Sequence, residues 1–198
     1  NLNNGELYNF SLLNNKQIES MILKFDNSSD IDVGKKLIKH ENFKTLDFDL
    51  FRTPLMVGLL YKAFGYNNTI DKNITVFYDE LFNALYKGHD LTKAGFCRIK
   101  SSSLDIEKFR NLFRSFSFTS LYENKSYFSN ESEVLETIRK SSLLSSIQLD
   151  NYRGFLSDLN ESVPLLIKDG LEYKFIHKTI SEFFAAEFLT YSEVSDEL

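Results

Sequence analysis

The sequence has few of the residues that constrain or interrupt a chain: one cysteine, two prolines, eight glycines and no tryptophan in 198 residues. Because Cys97 is the only thiol, no disulfide can form within the chain. Together with the lack of a signal-peptide pattern, this leads us to expect a reducing, cytoplasmic compartment. The longest apolar run, Leu55–Tyr61, is too short to span a bilayer, so no membrane association is expected.

Several catalytic motifs are missing as well. The nearest approach to a phosphate-binding loop, Val33-Gly34-Lys35-Lys36, lacks both the upstream glycine and the final hydroxyl residue. No acidic residue closes an apolar run in the way of a magnesium-holding strand end, and there is no Gly-x-Ser-x-Gly. His40 and His89 have no cysteine or carboxylate at metal-ligand spacing. We therefore expect neither catalysis nor a metal site in this chain.

Charge and composition further restrict the ligands and the fold that we expect. The formal net charge is −5, from 23 basic and 28 acidic residues, which argues against duplex nucleic acid as the main ligand. A locally basic segment keeps DNA contact open as a minority interpretation; its members are Lys93, Arg98, Lys100, Lys108, Arg110 and Arg114. Nineteen phenylalanines and few helix breakers favour helices packed around aromatic cores.

The first half is predicted to be a helical subdomain. Asn14 and Gln17 have the spacing of a capping box, and Pro54 stands where the first residue of a helix is expected, since its missing N–H costs nothing there. The predicted elements are a strand at Leu7–Leu12 and helices at Lys16–Phe25, at Asp30–Lys39, from Pro54 onward, and from Ile74 to near Gly88.

The second half follows a polar joint at residues 89–103. Its predicted elements are a helix with the apolar face Phe109–Phe116, a strand at Tyr127-Phe128, a helix capped by Asn130, a helix over Tyr152–Leu159, a hairpin of Leu165–Lys168 and Leu171–His177 turning at Asp169-Gly170, and a closing helix through Phe188. This order is that of a winged helix with the hairpin as its wing. The expected fold is therefore mainly α: a helical bundle followed by a winged-helix subdomain.

His177 is placed by this pattern between the last strand and the closing helix. An imidazole there lies beside the free backbone N–H groups of a helix start, a corner that can hold an anion. A lone histidine at such a junction is more often a capping or core residue. From the residues alone, both interpretations stay open.

The segment Tyr173–Ala186 resembles the winged-helix domain of bacterial NACHT proteins, which belong to the STAND class of signalling NTPases. It carries Phe175-x-His177 and then Glu182-aromatic-x-Ala at the following helix. Thr53-Pro54-Leu55 resembles the Pro-Leu motif of the preceding helical domain, and Leu85–Lys93 resembles the linker. The resemblance covers roughly residues 7–190.

The resemblance implies a regulatory part of a larger ATPase, and we expect the chain to be a fragment. It implies the end of a nucleotide-binding core at 1–13, a helical domain at 14–94, a winged-helix domain at 95–192 and a tail at 193–198. Pro54 would pack against the adenine, and His177 would touch the β-phosphate of ADP.

The expected partners follow from the same resemblance: ADP or ATP held mainly by an upstream core in cis, with little binding to this chain alone, and further copies of the parent upon opening. The implied setting is bacterial antiviral defence. Two alternatives stay open, a self-contained protein-interaction domain and, as the minority interpretation, a winged-helix DNA-binding domain.

Overall fold

The computed structural model describes residues 11–27, 32–46, 49–87 and 100–191. They form a mainly helical protein with one small antiparallel sheet of three strands. By its internal contacts the chain divides into two compact units. Of the described residues, those up to Leu81 form the N-terminal unit and those from Phe82 form the C-terminal unit. The predicted domain boundary between residues 94 and 95 lies outside the described residues.

The N-terminal unit is built of helices, with α4 divided between the two units. Its elements are α1 (Asn15–Asn27), α2 (Val33–Lys39), a 3₁₀ turn (Phe43–Thr45), α3 (Pro54–Asn67) and α4 (Ile74–Tyr86). The predicted second helix was placed to begin at Asp30, which lies outside the described residues. In the structure Asp32 precedes the helix as its N-cap, so α2 begins at Val33. Of the predicted strand at Leu7–Leu12, only Ser11 and Leu12 are described, and neither is in a strand.

Two predicted helix starts in this unit are confirmed, and each has a side-chain cap in the structure. The backbone N–H of Asn14 donates to Gln17 Oε1 at 2.9 Å, and the N–H of Gln17 donates to Asn14 Oδ1 at 3.0 Å. This reciprocal pair is a capping box, and it satisfies donors that a helix start leaves free. At α3, Thr53 Oγ1 accepts from the N–H of Met56, and Pro54 is the first helical residue.

A buried carboxylate fastens α2 to the rest of this unit. Asp26, 6% exposed at the end of α1, accepts from the N–H of Gly34 at 2.7 Å and from that of Lys35 at 3.0 Å. The hydroxyl of Tyr61, on α3, donates to the same carboxylate at 2.9 Å. A negative charge at a helix N-terminus is favourable, and here it also joins three helices.

The C-terminal unit contains the sheet. Beyond the end of α4, its elements are α5 (Ile106–Tyr122), β1 (Tyr127–Phe128), α6 (Glu131–Leu144), α7 (Tyr152–Ser157), a π-helical turn (Asp158–Ser162), β2 (Leu166–Asp169), β3 (Glu172–Phe175) and α8 (Lys178–Tyr191). The strand order is β1-β3-β2, and both pairings are antiparallel. Phe128 lies opposite Tyr173, and Leu166 lies opposite Phe175.

The hairpin turns one residue later than the sequence suggested. Asp169 pairs with Glu172 as the last rung of β2 and β3, so the two-residue loop is Gly170-Leu171 rather than Asp169-Gly170. Gly170 has φ of +63°, whereas Leu171 is not among the residues with positive φ. This sign pattern is that of a type II′ turn, in which glycine occupies the first central position. An Asp-Gly pair is typical of the type I′ turn, whereas here Gly170 takes the first central position of the loop, which moves the loop by one residue.

Aromatic rings fill the core of the C-terminal unit. Phe113 on α5 contacts Phe184 on α8, with ring centroids 5.0 Å apart, and Phe116 contacts Phe175 of β3 at 5.6 Å. All four rings are buried. Burying such rings is the largest stabilising contribution available to a unit of this size. The helix α5 therefore packs against both the sheet and α8.

Candidate functional site

The position of His177 is determined by the sheet on one side and the helix on the other. The N–H of Ile176 donates to the carbonyl of Leu165 at 2.9 Å, so strand-like pairing continues to the residue before His177. The helix α8 begins at Lys178, and the carbonyl of His177 accepts from the N–H of Ile180 at 3.2 Å. The predicted junction of strand, histidine and helix is present.

The imidazole of His177 caps its own helix. Its Nδ1 accepts from the backbone N–H of Thr179 at 3.3 Å and lies 2.8 Å from Thr179 Oγ1. No hydrogen bond joins the other ring nitrogen, Nε2, to any of the described residues. The ring is partly exposed. His177 is thus a capping residue, as the simpler interpretation held.

Electrostatics keep this ring neutral near pH 7. Partial burial lowers the pKa of His177 below its ordinary value of 6.5, and the nearby negative charge of Glu182 opposes the shift only in part. Glu182 also forms an ion pair with Lys178, one helical turn away, at 3.1 Å. The site therefore offers a neutral imidazole near the ion pair of Lys178 and Glu182.

Pro54 lies at the exposed start of α3. Thr53 caps this helix, and the neighbouring Leu55 is 38% exposed, so the Pro-Leu pair presents an apolar surface to solvent. Pro54 belongs to the N-terminal unit and His177 to the C-terminal unit. That the two residues line one nucleotide cleft stays a prediction.

A charged cluster on the C-terminal unit was missed from the sequence. Glu187 on α8 forms ion pairs with Arg114 at 3.0 Å and with Arg110 at 3.7 Å, and all three side chains are 12–14% exposed. Arg110 also lies over the ring of Phe184, 5.7 Å from its centroid. Burial lowers the pKa of Arg110, partly opposed by the charge of Glu187. The sequence feature that could have indicated this cluster is a pair of arginines four residues apart on a helix with an apolar face.

Beside this cluster runs a groove of about 430 Å³ between the helices α5, α6 and α8. Asn111 and Arg114 supply its polar wall, and Leu144, Phe188 and Tyr191 supply its apolar wall. Leu144 is 42% exposed and Tyr191 is 70% exposed. The groove therefore combines exposed apolar side chains with a polar edge, the composition of a surface that a polypeptide segment can occupy.

Two other features, a metal site and a membrane-spanning helix, are absent from the part of the chain that the structure describes. No group of three or more His, Cys, Asp or Glu side chains there could hold a metal ion. In the same residues, no helix is long and apolar enough to cross a membrane. Cys97 and His89 lie outside the described ranges.

No protein-family model, curated protein or solved structure shows a significant match to this chain. Its function must therefore be argued from its own residues and geometry. The corner formed by β3, His177 and α8 is the strongest candidate, because a partly exposed imidazole stands there at a helix start, and its Nε2 makes no hydrogen bond with the described residues.

Proposed function

We propose that this chain is the helical and winged-helix portion of a NACHT-type signalling ATPase, a cytoplasmic protein of bacterial antiviral defence that distinguishes ADP from ATP and controls opening and oligomerisation. The observation that carries the proposal is the position of His177: a partly exposed imidazole between the last strand and the closing helix, with Nε2 unoccupied by the described residues. The catalytic core would lie in cis, outside this chain.

The topology of residues 106–175 supports the winged-helix part of this proposal. Three helical segments and three strands follow in the order α5, β1, α6, α7, β2, β3, and β1 pairs with the second strand of the hairpin. This is the helix-strand-helix-helix-hairpin order of a winged helix, in which the first strand completes a small sheet beside the wing. The helix α8 then follows directly, as the resemblance requires.

The chemistry of the corner supports the nucleotide part. Because the N–H of Thr179 donates to Nδ1, the ring proton belongs on Nε2, where it can be donated to a phosphate oxygen. A hydrogen bond to a charged group contributes about 1.5–3 kcal/mol. This bias changes a two-state equilibrium about tenfold or more and leaves it reversible. A bound diphosphate would thus favour the closed state, and a triphosphate would displace this unit as a rigid body.

The exposed start of α3 supplies the second contact. Pro54 and Leu55 offer an apolar surface that an adenine ring could cover, and Thr53 holds that surface in place by capping the helix. The adenine role of Pro54 rests on the resemblance. The proposal can therefore be tested at two separate residues, Pro54 and His177.

The test uses the full-length parent protein. Nucleotide released from the denatured wild type, H177A and H177N is quantified by chromatography, alongside resting activity. His177→Ala removes both the ring and the helix cap. His177→Asn removes Nε2 but keeps a side-chain oxygen that can accept from Thr179 N–H. We expect both variants to retain about tenfold less ADP, or to be active at rest. Unchanged ADP and unchanged resting activity in both variants would refute the latch.

The protein-interaction alternative has one observation in its favour, the groove beside Arg114 and Tyr191. It predicts a stable chain that binds a polypeptide without any upstream NTPase. Two of the arginines that suggested DNA contact, Arg110 and Arg114, are paired with Glu187, which leaves fewer cations for a duplex. The absence of any salt-dependent mobility shift with duplex DNA at low ionic strength would remove the DNA interpretation.

A further inference from the structure

We infer that Thr179 is a positioning residue that fixes the proton of His177 on Nε2, so that the imidazole presents a hydrogen-bond donor to an anion. The use of that donor to hold a nucleotide phosphate rests on the proposed function. The placement of the proton does not, because it follows from the contact between the backbone N–H of Thr179 and Nδ1.

The first contact determines which ring nitrogen is unprotonated. A backbone N–H can only donate, so the 3.3 Å contact from Thr179 N requires a lone pair on Nδ1. The neutral imidazole carries a single proton, which must then lie on Nε2. A ring protonated on Nδ1 would direct one N–H against another.

The second contact is satisfied by the same choice. Thr179 Oγ1 lies 2.8 Å from Nδ1, closer than the backbone nitrogen, and a hydroxyl can turn its hydrogen toward the ring. The two donors then converge on the same ring nitrogen from one residue. The β-branched side chain of threonine has few χ1 states, so the hydroxyl is held near the ring at low entropic cost.

This arrangement matches the way in which a second group selects the tautomer of functional histidines. In such sites a neighbour occupies one nitrogen and leaves the other to the ligand. Here the neighbour is two residues further along the chain, in the first turn of α8. Thr179 itself need not touch the ligand.

The experiment is nuclear magnetic resonance of the full 198-residue chain, with long-range proton–nitrogen correlation of the His177 ring at a pH where the ring is neutral. We expect wild type to show a pyrrole-like Nε2 and a pyridine-like Nδ1. In T179V we expect the tautomer ratio to shift about fivefold toward the Nδ1-protonated form, the change produced by losing one neutral hydrogen bond. T179S should restore the wild-type spectrum, since it keeps the hydroxyl.

A matched control is Thr190→Val, the same substitution later in α8, where the hydroxyl donates to the carbonyl of Ala186. It should leave the His177 spectrum unchanged. A wild-type ring protonated on Nδ1, or a T179V ring with an unchanged tautomer ratio, would overturn the inference. This holds regardless of how much ADP the parent protein retains.

ADP retention in the parent protein separates the two claims. We expect T179V to retain about fivefold less ADP than wild type, and T179S to retain the normal amount. If T179V and T179S behave as expected in the spectra but H177A and H177N keep ADP and resting activity, the proposed function fails and the tautomer assignment stands. If T179V shifts the tautomer yet retains normal ADP, Thr179 has no positioning role toward a phosphate.

Discussion

Asp26 in the N-terminal unit and Asp158 in the C-terminal unit make the same kind of contact at very different separations along the chain. Both are buried, and both carboxylates accept two consecutive backbone N–H groups from another segment. Each carboxylate, together with the two N–H groups from which it accepts, is called a clamp below. A glycine lies against each clamp. In each unit a single charged side chain thus replaces the regular hydrogen bonds that a short segment cannot make for itself.

The difference lies in the distance along the chain. Asp26 reaches Gly34 and Lys35, eight and nine residues away, and caps a helix that begins there. Asp158 reaches Ser101 and Ser102, 57 and 56 residues away, and both N–H groups are 2.8 Å from its oxygens. These two residues precede α5 in a stretch without helix. The Asp158 clamp therefore joins segments that are far apart along the chain, whereas the Asp26 clamp joins the end of α1 to the start of the next helix.

The largest expected effects come from breaking these clamps. Asp26→Asn and Asp158→Asn each replace an acceptor oxygen by an NH₂ group that faces a backbone N–H. We expect each to lower the free energy of unfolding by about 2–4 kcal/mol, because charge-assisted hydrogen bonds are lost and a buried donor is left unsatisfied. Denaturant unfolding measures the loss, and hydrogen exchange shows its location.

The comparison of the two clamps predicts which backbone N–H groups lose protection from hydrogen exchange. D26N should speed exchange at Gly34 and Lys35, and D158N should do so at Ser101 and Ser102. Asp150→Asn, at an exposed aspartate, is the control and should change little. A stability loss in D158N no larger than that of the control would show that the long-range clamp contributes nothing.

The next effect concerns the glycines beside the clamps. A Cβ added to Gly34 would lie 2.8 Å from the carbonyl oxygen of Ile22, and one added to Gly154 would lie 2.6 Å from that of Ser101. We expect Gly34→Ala and Gly154→Ala to cost about 1–3 kcal/mol, since backbone must move.

Gly58 provides the matched control for both variants. It lies within α3, and among the described residues the one atom within 4 Å of an added Cβ would be Phe25 Cζ, at 3.9 Å. Gly58→Ala should therefore stabilise by about 0.5–1 kcal/mol, because alanine loses less backbone entropy in a helix. Equal effects at all three glycines, measured by thermal unfolding, would contradict the steric explanation.

The same contrast between local and long-range contacts explains what the sequence could predict. The capping box of Asn14 and Gln17 involves residues three apart, and the start of α3 was predicted from Pro54 alone, so local patterns were sufficient at both helix starts. The junction at His177 was predicted for the same reason. The Asp158 clamp and the Glu187 cluster join residues more than 50 positions apart, and no periodicity encodes such pairs. The hairpin loop was missed by one residue because Gly170 permits two turn types.

A smaller effect is expected from pH at the His177 corner. Burial lowers the pKa of this ring in the folded state, so the unfolded chain binds more protons once the pH falls below about 6.5. The stability that the neutral ring contributes is complete above that pH and is lost as the pH falls through the lower folded value. Protonation of Nδ1 would also remove the acceptor for Thr179.

The measurement is the difference in unfolding free energy between wild type and H177N from about pH 8 to about pH 5.5. Wild type should lose stability on acidification, and the variant should lose less, since asparagine does not titrate. Identical pH profiles would mean that the imidazole is no less solvated in the folded chain than in the unfolded one.

The smallest effect on stability, and the most informative one for function, is expected at Pro54. Its side chain is exposed, and its missing N–H is one that a helix start leaves free, so Pro54→Ala should change the free energy of unfolding by less than about 1 kcal/mol. In the parent protein the same variant should lose ADP if the ring covers adenine. Because the helix and its Thr53 cap stay intact, such a loss could not be attributed to unfolding. Normal ADP retention in P54A together with reduced retention in H177N would assign nucleotide sensing to the C-terminal unit alone.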